Sequence, residues 1–401
     1  MRLVTGEQIS AARDLLANVI RRTPMEHARD LGSSRGGNVF LKCENLQRTG
    51  SFKLRGAYTR IHGLSAAERE RGVVAASAGN HAQGVALAAN LLEIPATVFM
   101  PELAPLPKLA ATRAYGAEVY TQGAVLSEAL EAATAYAERT GAVFIHPFDH
   151  QDIIAGQGTV GLEILEQVPD VATVLVASGG GGLVAGLAAA IKEVKPSVRV
   201  VAVQAKNAAS FTQSLQAGKP VPVESTQTMA DGIAVAGPGP MTYAHLSELV
   251  DDVVTVSEES LSRAVLLCLE RRKMVVEPAG AASVAAMLEY PGEFAGPVVG
   301  LLSGGNVDPL LLLEIIRHGM TAGGRYLQLQ LRVPDRPGSL AGVLSKVGEL
   351  GANVLDVHHS RISGALALGE VEVSLNLETR GVEHCETVAA ELGNAGYVLL
   401  Q

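Results

Sequence analysis

Several residue types that mark particular protein classes are scarce in this chain of 401 residues. It contains 3 cysteines, no tryptophan and only 4% aromatic residues. Cys43, Cys268 and Cys385 lie far apart and form neither a CxxC pair nor a Cys/His spacing suited to zinc. These shortages exclude a small disulfide scaffold and predict reduced thiols, an aliphatic core and no metal site.

The charge and hydropathy patterns argue against two classes of partner. Lys and Arg total 32 against 41 Asp and Glu, a formal charge of -9, with no basic stripe that could neutralise nucleic-acid phosphates. No apolar run reaches the 18 residues of a membrane span, and charges interrupt the first residues where a signal peptide needs an apolar core. We therefore expect a cytoplasmic protein that binds neither nucleic acid nor membranes.

Short apolar runs alternate with Ala-rich helical stretches between about residues 39 and 310. Strands that are apolar on both faces and separated by helices are typical of parallel βαβ units. The pattern predicts an α/β fold, with ligand sites at the turns that follow the strands. The apolar runs lie at 73–77, 96–100, 118–120, 171–177, 198–203 and 297–303.

A different pattern begins near residue 320. The segment HGMTAGGRY lacks periodicity, which predicts a linker at 321–326 between a domain at 1–320 and a small domain at 327–401. The small domain alternates strands and helices in the order βαββαβ, which is ferredoxin-like. Its predicted strands are 327–333, 353–361, 370–377 and the final YVLL.

Four polar or glycine-rich motifs are candidates for chemistry. They are TGSFKLRG at 49–56, SAGNHAQG at 77–84, SGGGGL at 178–183 and LSGGN at 302–306. The last three follow apolar runs directly, which places them at strand ends. Four consecutive glycines leave backbone N–H groups free to surround a phosphate, and a helix N-terminus favours its charge.

The glycine run is a poor match to nucleotide sites. Gly180, Gly182 and Ala185 fit the relaxed G-x-G-x-x-[GA] spacing, but the next strand lacks the acid that holds a ribose and is followed by Gln204. No G-x-x-x-x-G-K-[ST] occurs, which disfavours an ATP P-loop. A phosphate site, a lysine at 53 and a strand-end hydroxyl at Ser303 instead suggest pyridoxal phosphate, whose aldehyde needs a lysine and whose ring nitrogen needs a partner.

The order of the four motifs resembles that of fold type II pyridoxal-phosphate enzymes, the tryptophan synthase β-like fold. Residues 5–320 are most similar to the threonine ammonia-lyases, also called threonine dehydratases. This resemblance implies two subdomains, the smaller at about 50–150. The tail from Arg325 resembles an ACT domain, an amino-acid-sensing βαββαβ module, with DRPGSL at 335–340 as its first turn.

The resemblance also implies which residues hold the cofactor. Lys53 would form the Schiff base, with Phe52 beside the cofactor ring. Asn80 would bond the 3′ oxygen of the ring, and Ser303 would face its nitrogen. The phosphate would be bound by the backbone N–H groups of Gly179, Gly180, Gly181, Gly182 and Leu183.

For the substrate, the resemblance implies a carboxylate pocket formed by Ser77, Asn80 and His81, and β-elimination with Lys53 removing the Cα proton. L-Threonine would give 2-oxobutanoate and ammonia, and L-serine would more slowly give pyruvate, in isoleucine biosynthesis or threonine catabolism. Serine dehydratase, serine racemase and 3-hydroxyaspartate dehydratase of the same fold are alternatives. A non-catalytic amino-acid-binding regulator is an alternative of another class.

Two departures from relatives refine this expectation. Related racemases use a serine as the opposite-face base where this chain has Ala78, so we expect little racemisation. Some relatives hold a divalent cation through acids after the VRVVAV strand, but residues 204–210 contain no carboxylate, so cation binding there is not expected.

The tail has a structural and a regulatory interpretation. It could simply pair sheet edges in an oligomer, for which we expect a homodimer or homotetramer. Alternatively, Gly338 permits a tight turn that leaves the N–H groups of the next helix free for an amino-acid carboxylate. The second interpretation makes Gly338, Ser339 and Leu340 the effector candidates, with isoleucine or valine as the effector.

Overall fold

The structure is a computed structural model that describes residues 2–31, 38–361 and 366–400. The chain forms two compact units, Met1–Leu312 and Leu313–Gln401. The strands are β1 (Met25–His27), β2 (Val39–Cys43), β3 (Val73–Ala76), β4 (Ala96–Met100), β5 (Glu118–Thr121), β6 (Val143–Phe144), β7 (Thr173–Ala177), β8 (Arg199–Ala205), β9 (Asp252–Val256), β10 (Val298–Leu302), β11 (Tyr326–Pro334), β12 (Asn353–Ser360), β13 (Glu370–Glu378) and β14 (Val398–Leu400).

The α-helices alternate with these strands through most of the chain. They are α1 (Gly6–Leu16), α2 (Lys53–His62), α3 (Ala66–Arg71), α4 (Asn80–Leu91), α5 (Leu106–Ala114), α6 (Leu126–Thr140), α7 (Gln151–Gln167), α8 (Gly182–Val194), α9 (Ser210–Ala217), α10 (Pro240–Leu249), α11 (Glu258–Leu267), α12 (Ala282–Glu289), α13 (Pro309–Ala322), α14 (Ser339–Glu349) and α15 (Val382–Asn394). No described helix has the length and apolar character needed to span a bilayer.

The first unit contains two sheets, and each sheet with the helices packed on it is called a subdomain below. The larger sheet has the order β1-β2-β10-β7-β8-β9, and only the β1–β2 pair is antiparallel. The smaller sheet, β5-β4-β3-β6, is wholly parallel. Strands β3, β4, β7 and β10 are buried along their whole length, as expected for a sheet covered by helices on both faces. The predicted α/β fold is confirmed.

A close crossing of α7 and α8 fixes the position of the turns that precede these helices. A Cβ at Gly186 would lie 2.1 Å from the Ile154 carbonyl oxygen, and one at Gly158 would lie 2.7 Å from the Gly186 carbonyl oxygen. Only glycine permits this backbone contact. Because the two helices cross so closely, the glycine run that precedes α8 lies next to the residues that precede α7.

The second unit has the βαββαβ order predicted for the tail. Its sheet order is β12-β13-β11-β14 with every pair antiparallel. Alternate residues of β11 and β13, such as Leu331 and Val373, face Val343 of α14 and Val388 of α15 in one apolar core. The alternating pattern of LQLQLRV and EVEVSLNL is the period-2 signal of a sheet with one covered face.

The predicted linker at 321–326 differs from the structure. Helix α13 continues through Ala322 and strand β11 begins at Tyr326, so only Gly323–Arg325 connects them. Gly324 has φ +66°, a left-handed conformation that ends the helix. The division between the two compact units falls after Leu312, within helix α13, whereas the sequence predicted that the first domain extends to 320.

Candidate active site

The first and fourth motifs are joined by hydrogen bonds where β10 ends. The Phe52 N–H donates to the Ser303 carbonyl at 3.2 Å, and the Gly305 N–H donates to the Gly50 carbonyl at 2.9 Å. Asn306 Nδ2 donates to the Thr49 carbonyl at 2.7 Å. The two turns therefore form one surface, from which Lys53 begins helix α2.

The second motif lies against the first. A Cβ at Gly84 in α4 would lie 3.1 Å from Lys53 Cβ, so the glycine allows α4 to approach the lysine directly. Asn80 and His81 begin α4 at the carboxyl end of β3, the position the βαβ pattern predicts for ligand-binding residues.

The amine of Lys53 is enclosed by protein. Its Nζ donates to the Pro147 carbonyl at 2.9 Å and lies 5.3 Å from the centre of the Phe52 ring. Burial lowers the pKa of Lys53 to about 8, although the Glu277 carboxylate opposes the shift. A larger share of the amine is consequently neutral near neutral pH, the state a nucleophile or general base requires.

The glycine run packs on the same segment that holds the amine. A Cβ at Gly180 would lie 2.2 Å from Phe148 Cδ1, and one at Gly182 would lie 2.8 Å from the Phe148 carbonyl oxygen. Gly181, with φ +91°, turns the chain into α8. Residues 147 and 148 therefore join Lys53 to the glycine run.

Asn80 is held by two partners on the other subdomain. Its Nδ2 donates to Glu277 Oε1 at 2.6 Å, and its Oδ1 accepts from Asn306 Nδ2 at 2.7 Å. Burial raises the pKa of Glu277 to about 7, and the nearby carboxylate of Asp231 adds to the shift. Gly304 makes room for this cluster, since a Cβ there would lie 2.3 Å from Glu277 Oε1.

A second lysine crosses between the subdomains. Lys108 Nζ of α5 lies 2.6 Å from Asp231 Oδ2, and the Lys108 side chain is almost fully buried whereas Asp231 is exposed. A Cβ at Gly79 would lie 4.0 Å from this amine. The Lys108 amine, paired with the Asp231 carboxylate, therefore lies beside the turn that leads into α4.

The remaining predicted site residues have defined partners. His81 Nε2 lies 2.8 Å from the Ile145 carbonyl oxygen, and burial lowers the pKa of His81 to about 3, so the ring is neutral and donates there. Ser77 Oγ accepts from the Gly79 N–H at 3.1 Å. Ser303 is buried, with its backbone N–H donating to the Gly280 carbonyl at 3.4 Å.

Sequence comparison identifies the family to which this site belongs. The family described as "Pyridoxal-phosphate dependent enzyme" matches residues 16–304. The chain belongs to this family. The predicted cofactor, pyridoxal phosphate, and the predicted fold are thereby confirmed.

Individual members of the family resemble the chain over different lengths. An L-threonine ammonia-lyase of Thermotoga maritima is 47% identical over 395 residues, which is 98% of each chain. The processed form of threonine deaminase isoform 2 from Solanum lycopersicum is 36% identical with a TM-score of 0.74, covering 79% of this chain and 95% of that one. Maize serine racemase is 38% identical with a TM-score of 0.75, covering 78% and 97%.

The glycine run of this pyridoxal-phosphate enzyme fits the cofactor phosphate. Within the described residues, the backbone N–H groups from Gly179 to Leu183 have no protein acceptor. Ser178 Oγ, which precedes them, is buried and has no hydrogen-bond partner among the residues that the structure describes. Unpaired donors at the N-terminus of α8 form an anion site, and Lys53 is joined to it through residues 147 and 148.

The segment that joins Lys53 to the glycine run was not predicted from the sequence. His146 Nδ1 accepts from the Asp149 N–H at 2.8 Å, and Asp149 Oδ1 accepts from the Thr242 N–H at 2.9 Å at the start of α10. These contacts anchor both ends of Pro147–Phe148. Its position after strand β6 was the available signal, but a strand of 2 residues is too short to recognise. Lys108 was not predicted as a site residue, and Asn306 was included only in the LSGGN motif, without a role of its own.

Proposed function

We propose that this enzyme is an L-threonine ammonia-lyase, which converts L-threonine to 2-oxobutanoate and ammonia and L-serine more slowly to pyruvate. The similarity to the Thermotoga maritima enzyme carries the proposal, because it extends over 98% of both chains and so includes the C-terminal unit. The convergence of the four motifs around Lys53 supports it.

Lys53 is the proposed catalytic residue. Pyridoxal phosphate, when bound, supplies the electron sink that makes the substrate Cα proton acidic. The lowered pKa of Lys53, caused by burial, suits its amine to take that proton. Phe52 would lie beside the ring, and the unpaired N–H groups from Gly179 to Leu183 would hold the phosphate.

Ser303 is the proposed partner of the ring nitrogen. It lies at the end of β10, directly beside the turn that contains Phe52, and no partner for its hydroxyl is found in the described part of the chain. A neutral hydroxyl cannot hold a proton on the ring nitrogen by charge, as a carboxylate would. The ring would therefore stay largely neutral, which suits elimination.

The turn 77–81 is the proposed site of the substrate carboxylate. The His81 ring is already bonded to the Ile145 carbonyl, so His81 would contribute its backbone N–H and not its imidazole. Ser77 and Asn80 flank this position. The Lys108 amine also lies beside this turn, but its charge is largely offset by the Asp231 carboxylate at 2.6 Å.

The C-terminal unit is proposed to be an ACT domain that senses an amino acid. It contains a cavity of about 300 Å³ lined in part by the effector candidates Gly338, Ser339 and Leu340. Gly338 has φ +91° and caps α14, so the helix N-terminus opens toward this cavity. Arg361 forms two hydrogen bonds to Asp335 in the cavity lining, at 3.1 and 3.2 Å.

Isoleucine or valine is the proposed effector. The enzyme itself is proposed to be a cytoplasmic homodimer or homotetramer. Inhibition by isoleucine would favour a biosynthetic role, and a lack of inhibition would favour a catabolic role. The test compares threonine saturation curves of the full chain and of a variant lacking residues 325–401, with and without each amino acid. We expect a shift for the full chain alone; equal shifts in both proteins would contradict an effector site in the tail.

Serine racemisation is the second candidate activity, because maize serine racemase is similar over 78% of this chain. Ala78 argues against it, since an alanine side chain has no proton to exchange. A panel of L-threonine, L-serine, D-serine and 3-hydroxyaspartate, assayed for 2-oxo acid release and for serine enantiomers, separates these activities. We expect threonine to give the highest kcat/KM and D-serine to form slowly or not at all.

A further inference from the structure

The orientation of the Asn80 side-chain amide can be assigned from its hydrogen-bond partners. A side-chain amide has a donor end and an acceptor end of nearly the same shape, so its orientation is defined by its neighbours. The orientation matters here, because the two ends would act in opposite ways on an anionic oxygen of the cofactor ring.

The direction of the Asn80 amide follows from a backbone carbonyl. The Thr49 carbonyl only accepts, so the Asn306 atom 2.7 Å away must be its nitrogen. That nitrogen has a second hydrogen, whose nearer acceptor is the Asn80 atom at 2.7 Å, since Gln83 Oε1 lies farther away at 3.4 Å. The Asn80 atom on that side is therefore its oxygen.

Glu277 completes the assignment from the opposite side. Its Oε1 accepts from Asn80 Nδ2 at 2.6 Å, and a carboxyl group keeps an accepting oxygen whether or not its other oxygen carries a proton. Glu277 is 3% exposed and can reach Asn80 only because Gly304 has no side chain. One hydrogen of Asn80 Nδ2 then has no acceptor within the described residues.

We propose that Asn306 and Glu277 are positioning residues that fix Asn80 with a donor N–H, and never its carbonyl, turned toward the 3′ oxygen of the cofactor ring. The inference rests on the proposed contact between Asn80 and that oxygen. A donor there stabilises the oxygen as an anion, whereas an acceptor would favour its protonated form.

The test uses the holoenzyme of four variants and follows the ratio of long-wavelength to short-wavelength cofactor absorption together with the Kd for pyridoxal phosphate. Asn306→Asp replaces the donor by an acceptor, so Asn80 must turn over. We expect the absorption to move toward the short-wavelength band and the Kd to rise roughly tenfold, the size expected for a hydrogen bond to a charged group. Asn306→Ala removes the donor without adding a charge and should move both readouts in the same direction, by less.

Glu277→Gln and Asn80→Ala are the matched references. The glutamine carbonyl can still accept from Asn80, so Glu277→Gln should keep the wild-type band ratio. Asn80→Ala shows the band ratio when the Asn80 hydrogen bond is lost completely. Thermal unfolding of each variant verifies folding. A wild-type band ratio in both Asn306 variants would overturn the inference, while wild-type turnover of threonine would leave the proposed function intact. A wild-type protein that forms no coloured complex would overturn both.

Discussion

The Lys53 amine and the Pro147 carbonyl oxygen lie 2.9 Å apart, and the residue after Pro147 packs against the glycine run. The segment Pro147–Phe148 thus sets the distance between the Lys53 amine, which would attack the cofactor aldehyde, and the backbone N–H groups of the glycine run, which suit a phosphate. His146 and Asp149 anchor this segment through hydrogen bonds at both of its ends.

The pKa of Lys53 predicts when the cofactor-free protein captures pyridoxal phosphate. Burial lowers this pKa to about 8, and only the neutral amine attacks an aldehyde. The capture rate should therefore rise with pH and level off above about pH 8, whereas a free lysine analogue should continue to rise toward pH 10.4 or so. Stopped-flow absorbance across this pH range measures the capture rates of the protein and of the analogue. If the pH midpoint of the protein lies near that of the analogue, burial does not lower the pKa of Lys53.

Gly180→Ala should weaken cofactor binding. The added Cβ would lie 2.2 Å from the Phe148 ring, so the loop or the ring must move, at a cost of about 1–3 kcal/mol. We expect the Kd for pyridoxal phosphate to rise about tenfold or more in an absorbance titration. The control is Gly348→Ala in α14, where, apart from the backbone of the helix itself, no described residue comes within 4 Å of the new Cβ. Equal affinities for the two variants would refute the close packing.

Arg55→Met should strongly destabilise the first unit. Arg55 is completely buried and pairs with Glu44 at 2.8 Å and with Glu163 at 2.7 Å. Burial opposes ionisation of Glu44, but the Arg55 guanidinium outweighs it, and the pKa of Glu44 is lowered. Removing the cation leaves buried carboxylates poorly compensated, which costs about 3–5 kcal/mol in the free energy of unfolding.

Urea unfolding of Arg55→Met is compared with that of Arg60→Met on the same helix. Arg60 lies 3.5 Å from Asp152 and both are partly exposed, so its loss should cost less than about 1 kcal/mol. Similar losses in the two variants would show that the buried ion cluster does not stabilise α2.

Ser339→Trp should abolish the response to isoleucine or valine without changing basal turnover. Ser339 lines the cavity of about 300 Å³ in the second unit, and a tryptophan there would occupy it. Ser345→Trp, on the exposed side of the same helix α14, is the matched control. Threonine saturation curves with added effector measure the response, and an undiminished shift in Ser339→Trp would place the effector elsewhere.

The sequence predicted six strands of the first unit, the four motifs and the βαββαβ tail because each depends on local pattern, but it did not predict β1, β2, β6 or β9. The run TVLVA is apolar on both faces and is buried throughout in β7. The linker was predicted to begin at 321, whereas helix α13 continues through Ala322, because the two adjacent glycines hide where the helix ends. The roles of individual site residues in binding remain predictions.

Contacts between distant segments could not be predicted from pattern. Lys42 stands out as a charge within the apolar strand β2, but nothing in the sequence indicates that its partner, at 2.5 Å, is Glu163 of α7. The contact of Asn80 with Glu277 joins residues 197 positions apart. Such pairs depend on how distant elements pack against one another, which periodicity within one element does not encode.

Borohydride reduction of the holoenzyme, followed by peptide mass mapping, tests the central claim most directly. Reduction makes the bond between a lysine amine and the cofactor aldehyde permanent. We predict one pyridoxyl-modified lysine, Lys53, in a protein that loses its threonine turnover in proportion to the modification, and no modification in Lys53→Ala. An unmodified Lys53 in reduced, inactive protein would contradict the account.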